Sequence, residues 1–350
     1  MRSDQFTKAA LFALIVVCLV LSGWEYFVRH HDYQPSYDDG GALWSDKRDK
    51  VYDDPSRTTV FIGSSRIKYD LDINTWRSMT GDEPVMLAMP GQCPRPALKD
   101  LAEDKRFRGK LIIDVTEPLF FSDGAGNQNE INDNLHFYKH NHTPAQRASF
   151  VLNHALESRL AFLDKDHLSF SAMIDRLQIP SRPGVFVFPP FAPGFERNSF
   201  DRQSYMSPGF VADTNQWNQV KGVWKMLFAK KGPPISGDSL TRMIHTVAMQ
   251  VAAIRNRGGQ VLFVRTPSSD PMKTGELRGF PRASYWQRLL DESGSPGIHF
   301  MDHPAIDHFI CPELSHLSPA DAVIFTQNLV KILHEEQHWN FPAMSSTSKN

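Results

Sequence analysis

Thr58-Thr59-Val60-Phe61-Ile62 runs straight into Gly63-Ser64-Ser65-Arg66. Five β-branched or aromatic residues in succession predict a strand, and the lack of polar alternation predicts burial on both faces. Gly63 then stops it in a tight turn. A serine on such a turn projects its hydroxyl clear of the sheet, and the amides that open a following helix favour negative charge. The plain alternative is a serine that only caps a helix.

Working outward, other short apolar runs repeat the pattern. Val85-Met86-Leu87-Ala88-Met89 ends at Pro90-Gly91, and residues 110–115 end before Thr116-Glu117. Residues 184–188 precede Pro189-Pro190, residues 260–265 precede Thr266-Pro267-Ser268, and residues 299–302 form a short last run. Between them, Leu240, Met243, Ile244, Val247, Val251 and Ile254 recur at helical period and the run closes at Gly258-Gly259. Residues 319–333 behave likewise. Strands alternating with helices predict an α/β fold, a parallel sheet with helices on both faces. Sites in such folds lie at the carboxyl ends of the strands.

A second polar block, Cys311-Pro312-Glu313-Leu314-Ser315-His316-Leu317-Ser318-Pro319, stands just before the last helical run. A weakly nucleophilic serine needs an imidazole, and the imidazole needs an orienting acid. Glu313 and His316 are spaced to meet in one turn. Alone the block reads equally as a solvated loop or as a helix start with no role for His316.

Ser65, Gly91, Glu313 and His316 together make the chain resemble the SGNH (GDSL-like) hydrolase superfamily, specifically its membrane-anchored envelope branch. The resemblance rests on four short segments spread over residues 58–335. It implies a flavodoxin-like three-layer α/β/α fold. Gly63-Ser64-Ser65 matches the family's Gly-Asp-Ser block, with Ser65 as nucleophile and Ser64 in the place of the aspartate. Gly91, in Ala88-Met89-Pro90-Gly91-Gln92, matches the oxyanion glycine after the second strand. Glu313-x-x-His316 matches the Asp-x-x-His block, with Glu313 as acid and His316 as base; Asp302 and Asp307 stand nearby as other acids. The family's third block supplies an oxyanion asparagine, where this chain reads Asp114-Val115-Thr116-Glu117-Pro118. Loss of one oxyanion donor costs on the order of 10²–10³ in rate. Thr116, or the amides of Ser65 and Gly91, are the replacements. The implied function is a serine-dependent ester hydrolase or O-acyltransferase on a cell-envelope or exported polysaccharide, commonly beside a multispanning membrane acyltransferase. The competing expectation is a catalytically weak protein of the same fold that binds glycan or scaffolds a biosynthetic complex. No cofactor is implied.

Two arginines are candidate substrate ligands. Arg66, after the nucleophile, binds an anionic group or pairs with Asp70; Arg265, at a strand end, faces the cleft. Cys93 and Cys311 both flank these blocks and are a possible disulfide, a pairing whose geometry spacing alone cannot establish. His136, His140 and His142 have no matching set of partners for a metal.

The N-terminus reads as a membrane segment. Ala9 to Trp24 is uncharged and the apolar stretch reaches about one bilayer span at Val28. Arg2 and Lys8 precede it, which places that end in the cytoplasm. A cleaved signal peptide needs a small-residue site, and Ser22-Gly23-Trp24 matches poorly. The expected layout is residues 1–8 cytoplasmic, 9–28 a transmembrane anchor, 29–57 a spacer, 58–335 the domain with an insertion about 123–235, and 336–350 a disordered tail. The domain then lies outside the inner membrane, in the periplasm of a Gram-negative source. With 38 Lys plus Arg against 39 Asp plus Glu, the chain lacks the basic excess of a nucleic-acid binder.

Overall fold

The computed structural model describes residues 2–31, 36–164, 168, 170–175, 177, 184, 189–229 and 232–345. Contacts divide the chain into two compact units: Met1–Asp38 with Pro144–Phe188, and Asp39–Thr143 with Pro189–Asn350.

In the first unit, the expected anchor is one helix, Arg2–Arg29, of 28 residues. At 1.5 Å per residue it is about 42 Å long. Its stretch Asp4–Arg29 is long and apolar enough to cross a membrane. The helices Pro144–Glu157 and Phe170–Asp175 belong to the same unit.

The second unit is built on β1 (Thr58–Ile62), β2 (Glu83–Met86), β3 (Lys110–Asp114), a small antiparallel hairpin of β4 (Arg197–Asn198) and β5 (Ser204–Tyr205), β6 (Gln260–Arg265) and β7 (Gly297–His299). Five strands form one parallel sheet in the order β2-β1-β3-β6-β7. Its register pairs Val60 with Val85, Phe61 with Ile112, and Ile113 with Phe263. Every residue of β1 and β3 is buried, which is why their sequences run apolar without alternation.

Strand side chains alternate between two cores. Val60, Ile62, Leu111, Ile113 and Phe263 pack with Leu240, Ile244, Val247 and Val251 of the helix Gly237–Arg255. Phe61, Ile112, Leu262 and Val264 pack with Phe325, Leu329 and Leu333 of the helix Pro319–Glu335. These two helices match the expected periods.

Four expectations change. The spacer is structured from Gly41: the helix Gly41–Asp49 buries Trp44, whose Nε1 donates to the Leu87 carbonyl at 3.2 Å. Arg48 is also buried, paired with Asp100 and Asp104 at 2.9 Å each. The first part of the expected tail is packed, because Trp339 and Phe341 join the second core and Phe341 meets Trp76 edge-on at 5.7 Å; residues 346–350 lie outside the described residues. The insertion is not one piece. Ile131 and Leu135 belong to the first core, residues 144–188 cluster with the N-terminal helix, and Ala192, Phe195, Phe210 and Val220 make a third core with Tyr69. Of the strand expected at 184–188, residues 185–188 lie outside the described residues.

The Cys93–Cys311 bridge is corrected: both thiols are free and buried. Cys93 accepts from Arg95 Nε at 3.2 Å and lies 3.8 Å from the Phe120 carbonyl. Cys311 packs in the second core and lies beside Ser269, its amide donating to Ser269 Oγ at 2.8 Å. Burial pushes both thiols up.

Gly63 is the tightest point at the end of β1. A Cβ there would lie 2.5 Å from Asp114 Cβ and 2.8 Å from Ile67 Cγ2. Gly63→Ala is expected to lower stability by about 1–3 kcal/mol, the usual range for overpacking. Denaturant melts of the detergent-solubilised protein measure it. Gly126→Ala, where a Cβ meets nothing within 4 Å, is the control that leaves the midpoint unchanged.

Candidate active site

The turn after β1 separates two adjacent serines by role. Ser64 is extended and caps the helix Ser65–Asp70, its Oγ accepting from the Arg66 amide. That settles which serine is the cap and leaves the Ser65 hydroxyl for other work. Ser65 Oγ lies 2.8 Å from His316 Nε2.

His316 is held from the other side by Glu313. Glu313 Oε1 lies 2.8 Å from His316 Nδ1 and accepts the His316 amide at 2.7 Å and the Ser315 amide at 3.3 Å. Leu314, between them, adopts a left-handed φ of 86°. A bulky residue in that region is strained by about 1–3 kcal/mol, and the turn it makes sets the Glu313 carboxylate against the His316 ring. Glu313 Oε2 accepts a short hydrogen bond from Trp224 Nε1 on the helix Thr214–Ala229. With Oε1 as an acceptor, Nδ1 holds the ring proton, and Nε2 presents its lone pair to the Ser65 hydroxyl. Glu313 and His316 have no solvent exposure to speak of, at 0% and 1%. The His316 ring is boxed by Tyr69, Phe195 and Trp224, with centroids at 4.4, 5.8 and 6.1 Å.

The other two acids are elsewhere. Asp302 pairs with Arg282 at 2.6 Å, and Asp307 is half exposed beside His308.

Thr116 does not reach outward. Its hydroxyl meets Ser64 Oγ at 2.6 Å and Asp114 Oδ2 at 3.0 Å, so its one proton stays within that cluster. Asp114 Oδ2 also faces the Ser64 amide and hydroxyl at 3.3 and 3.2 Å. Burial pushes the Asp114 carboxyl up, against the opposing effects of the Arg66 charge and the bonds from Ser64 and Thr116. Among the described residues, the amides of Ser65 and Gly91 meet no acceptor. Gly91 is left-handed at φ 69°. Its loop is tied to the turn by the Met89 amide, which donates to the Gly63 carbonyl at 3.1 Å. From above, Arg202 donates to the Met86 and Ala88 carbonyls at 2.7 and 3.2 Å.

Arg66 and Arg265, expected to bind substrate, turn inward instead. Arg66 is 1% exposed; it pairs with Glu276 and donates to Ser315 Oγ at 3.2 Å, not to Asp70. Arg265 is 2% exposed and pairs with Glu117 at 3.0 Å and Glu276 at 2.5 Å. Two cations and two anions form a closed, neutral, buried chain.

Trp224 and Asp70 are functional neighbours that the sequence did not reveal. Trp224 is 89 residues from Glu313 and sits in the segment read only as part of the insertion about 123–235. Asp70 ends the helix that begins at Ser65 and accepts the Leu317 amide at 2.9 Å. Burial raises its carboxyl to about 7, with Asp114 adding to the rise and His316, the Leu317 amide and Thr266 opposing it.

No protein-family model matches the chain, and a search of curated proteins returns no match.

Two outcomes follow from this geometry. Trp224→Phe removes the donor to Glu313 Oε2 and keeps most of the ring. It is expected to slow covalent labelling of Ser65 by a fluorophosphonate about 10–100-fold, the kinetic equivalent of a hydrogen bond to a charged acceptor. The second concerns pH. Asp70 keeps its proton up to about pH 7 in the folded chain, whereas the unfolded chain loses it near 3.8. The folded state therefore binds more protons between these values, and stability falls as pH rises through that window. Asp70→Asn keeps an acceptor for the Leu317 amide and has nothing to ionise. Its stability advantage over wild type, read as the difference in denaturation midpoint, is expected to be absent near pH 4 and full by pH 8.

Proposed function

We propose that this chain is an SGNH-like serine ester hydrolase or O-acyltransferase, anchored in the cytoplasmic membrane and acting outside it on an acylated envelope or exported glycan. The single observation behind this reading is the unbroken relay from Ser65 Oγ to His316 Nε2, and from Nδ1 to Glu313, at 2.8 Å for each link. A binding module has no use for a base aligned on a serine hydroxyl. The strand order, read among sheet strands only as 2-1-3-4-5, supports a flavodoxin-like layering, and Ser65 follows β1 beside the point where that order reverses.

The chemistry follows from the geometry. His316 Nε2 takes the Ser65 proton as Oγ attacks the acyl carbonyl, and Glu313 steadies the imidazolium. The amides of Ser65 and Gly91 are the donors to the oxyanion. The departing alcohol takes the proton from His316 and leaves acyl-Ser65. Water or a sugar hydroxyl then attacks the acyl carbon, giving its proton to His316, which returns it to Ser65. Arg2 and Lys8 before the apolar helix support a cytoplasmic N-terminus and an external domain. A multispanning membrane acyltransferase is the natural acyl supplier in this setting.

The inward-turned Thr116 hydroxyl favours a second reading, a weak or inactive member that binds glycan. One experiment separates them. Ser65→Ala and His316→Ala are expected to lose fluorophosphonate labelling and to lower hydrolysis of an acetyl ester by on the order of 10⁴-fold or more. Wild-type protein that neither labels nor forms an acyl-Ser65 adduct detectable by mass spectrometry refutes catalysis and leaves the binding role.

A further inference from the structure

The helix Pro144–Glu157 wears its apolar side outward. Val151 and Leu152 are each 65% exposed and Leu156 is 50% exposed. Ala145 and Ala148 continue that side at helical spacing and are exposed too. The opposite side turns inward, where Phe150 stacks on His154 and His154 on Tyr37. A helix on a water-facing surface has the reverse polarity. The pattern is also concentrated. Among the described residues, twelve large apolar side chains beyond the N-terminal helix are exposed, and six of them are Val151, Leu152, Leu156, Met173, Ile174 and Leu177. All six fall in the unit that contains the apolar N-terminal helix.

The bonds within that unit place the chain after this helix at the anchor. Glu25, near the end of the N-terminal helix, accepts the Ala161 and Phe162 amides at 2.9 and 3.1 Å. Arg29 donates to the Arg159 carbonyl at 2.5 Å. The chain just after Glu157 is therefore clamped to the end of the membrane-length helix, at the level of Trp24, Tyr26 and Phe27. Those are the residue types that settle at a bilayer interface. A helix joined to a chain fastened at that level, with an apolar side exposed, is suited to the same apolar medium as the anchor.

We propose that the helix Pro144–Glu157, with Met173, Ile174 and Leu177, docks on the lipid surface, its apolar side buried at the boundary of headgroups and acyl chains. This rests on the reading of Asp4–Arg29 as a membrane span. The segment is then a second, interfacial membrane contact beside the span.

Spin labelling of the full chain in phosphatidylcholine–phosphatidylglycerol nanodiscs tests it. A Cys18→Ala background retains only two buried thiols. Single nitroxides are placed at Leu152→Cys, at Asn153→Cys on the other side of the helix, and at Leu14→Cys in the anchor. Power saturation compares collision with oxygen, which concentrates in lipid, against a nickel chelate, which stays in water. Oxygen is expected to dominate several-fold at positions 14 and 152, and nickel at 153. Nickel access at 152 with oxygen access at 14 overturns the interfacial contact and leaves the anchor standing. Nickel access at both overturns both. Shielding of 152 from both reagents means that protein covers this side, which also overturns the proposal.

Discussion

Four charges sealed from solvent underlie the Ser65 turn. Arg66, the residue after Ser65, is locked to Glu276; Glu276 is shared with Arg265; Arg265 is locked to Glu117. These residues come from the helix after β1, the helix Met272–Gly279, the end of β6 and the segment after β3. Burial of a single charge is expensive, and loss of one partner from such a set leaves its neighbour uncompensated at about 3–5 kcal/mol. The ends of three adjacent strands are consequently fastened under the Ser65 turn by charge neutrality. Shape alone would fasten them less specifically.

On this base the polar groups at the turn divide into two sets. Below, Ser64, Thr116 and Asp114 satisfy one another, and Gly63 lets Asp114 come close enough to do so. Above, Ser65, His316, Glu313 and Trp224 form a single file of hydrogen bonds. The lower set uses the Ser64 and Thr116 hydroxyls among themselves and Asp114. In the upper set, among the described residues, the Ser65 hydroxyl has His316 Nε2 as its side-chain partner.

How much of this was legible in the sequence depends on range. The strand-turn after β1, the Glu313–His316 turn and the long helices are local patterns, and they stand where the residue order indicates. The helix Gly41–Asp49 hid because its buried Lys47 and Arg48 look like solvent-facing charges. Their closest partners are distant in sequence, Asp201 for Lys47 and Asp100 and Asp104 for Arg48. Trp339 and Phe341 hid in a polar tail because two aromatic anchors produce no period. Arg66 and Arg265 looked available to a ligand because Glu276 lies 210 residues from Arg66 and Glu117 lies 148 residues from Arg265, while the nearer Glu276 reaches Arg265 only through the loop between β6 and the helix Met272–Gly279. Trp224 was illegible for the same reason. Local rules find which residues begin a turn, and tertiary pairing decides which charges remain free.

The separation of Ser65 from His316, 251 residues, also sets an order in time. A ribosome working at about 5–20 residues per second makes Ser65 roughly 10–50 s before His316. During that interval the growing chain already has its apolar N-terminal helix and its first strand but no relay. Whatever chemistry Ser65 performs begins only after nearly the whole polypeptide has been made, so half-made chains are silent by construction.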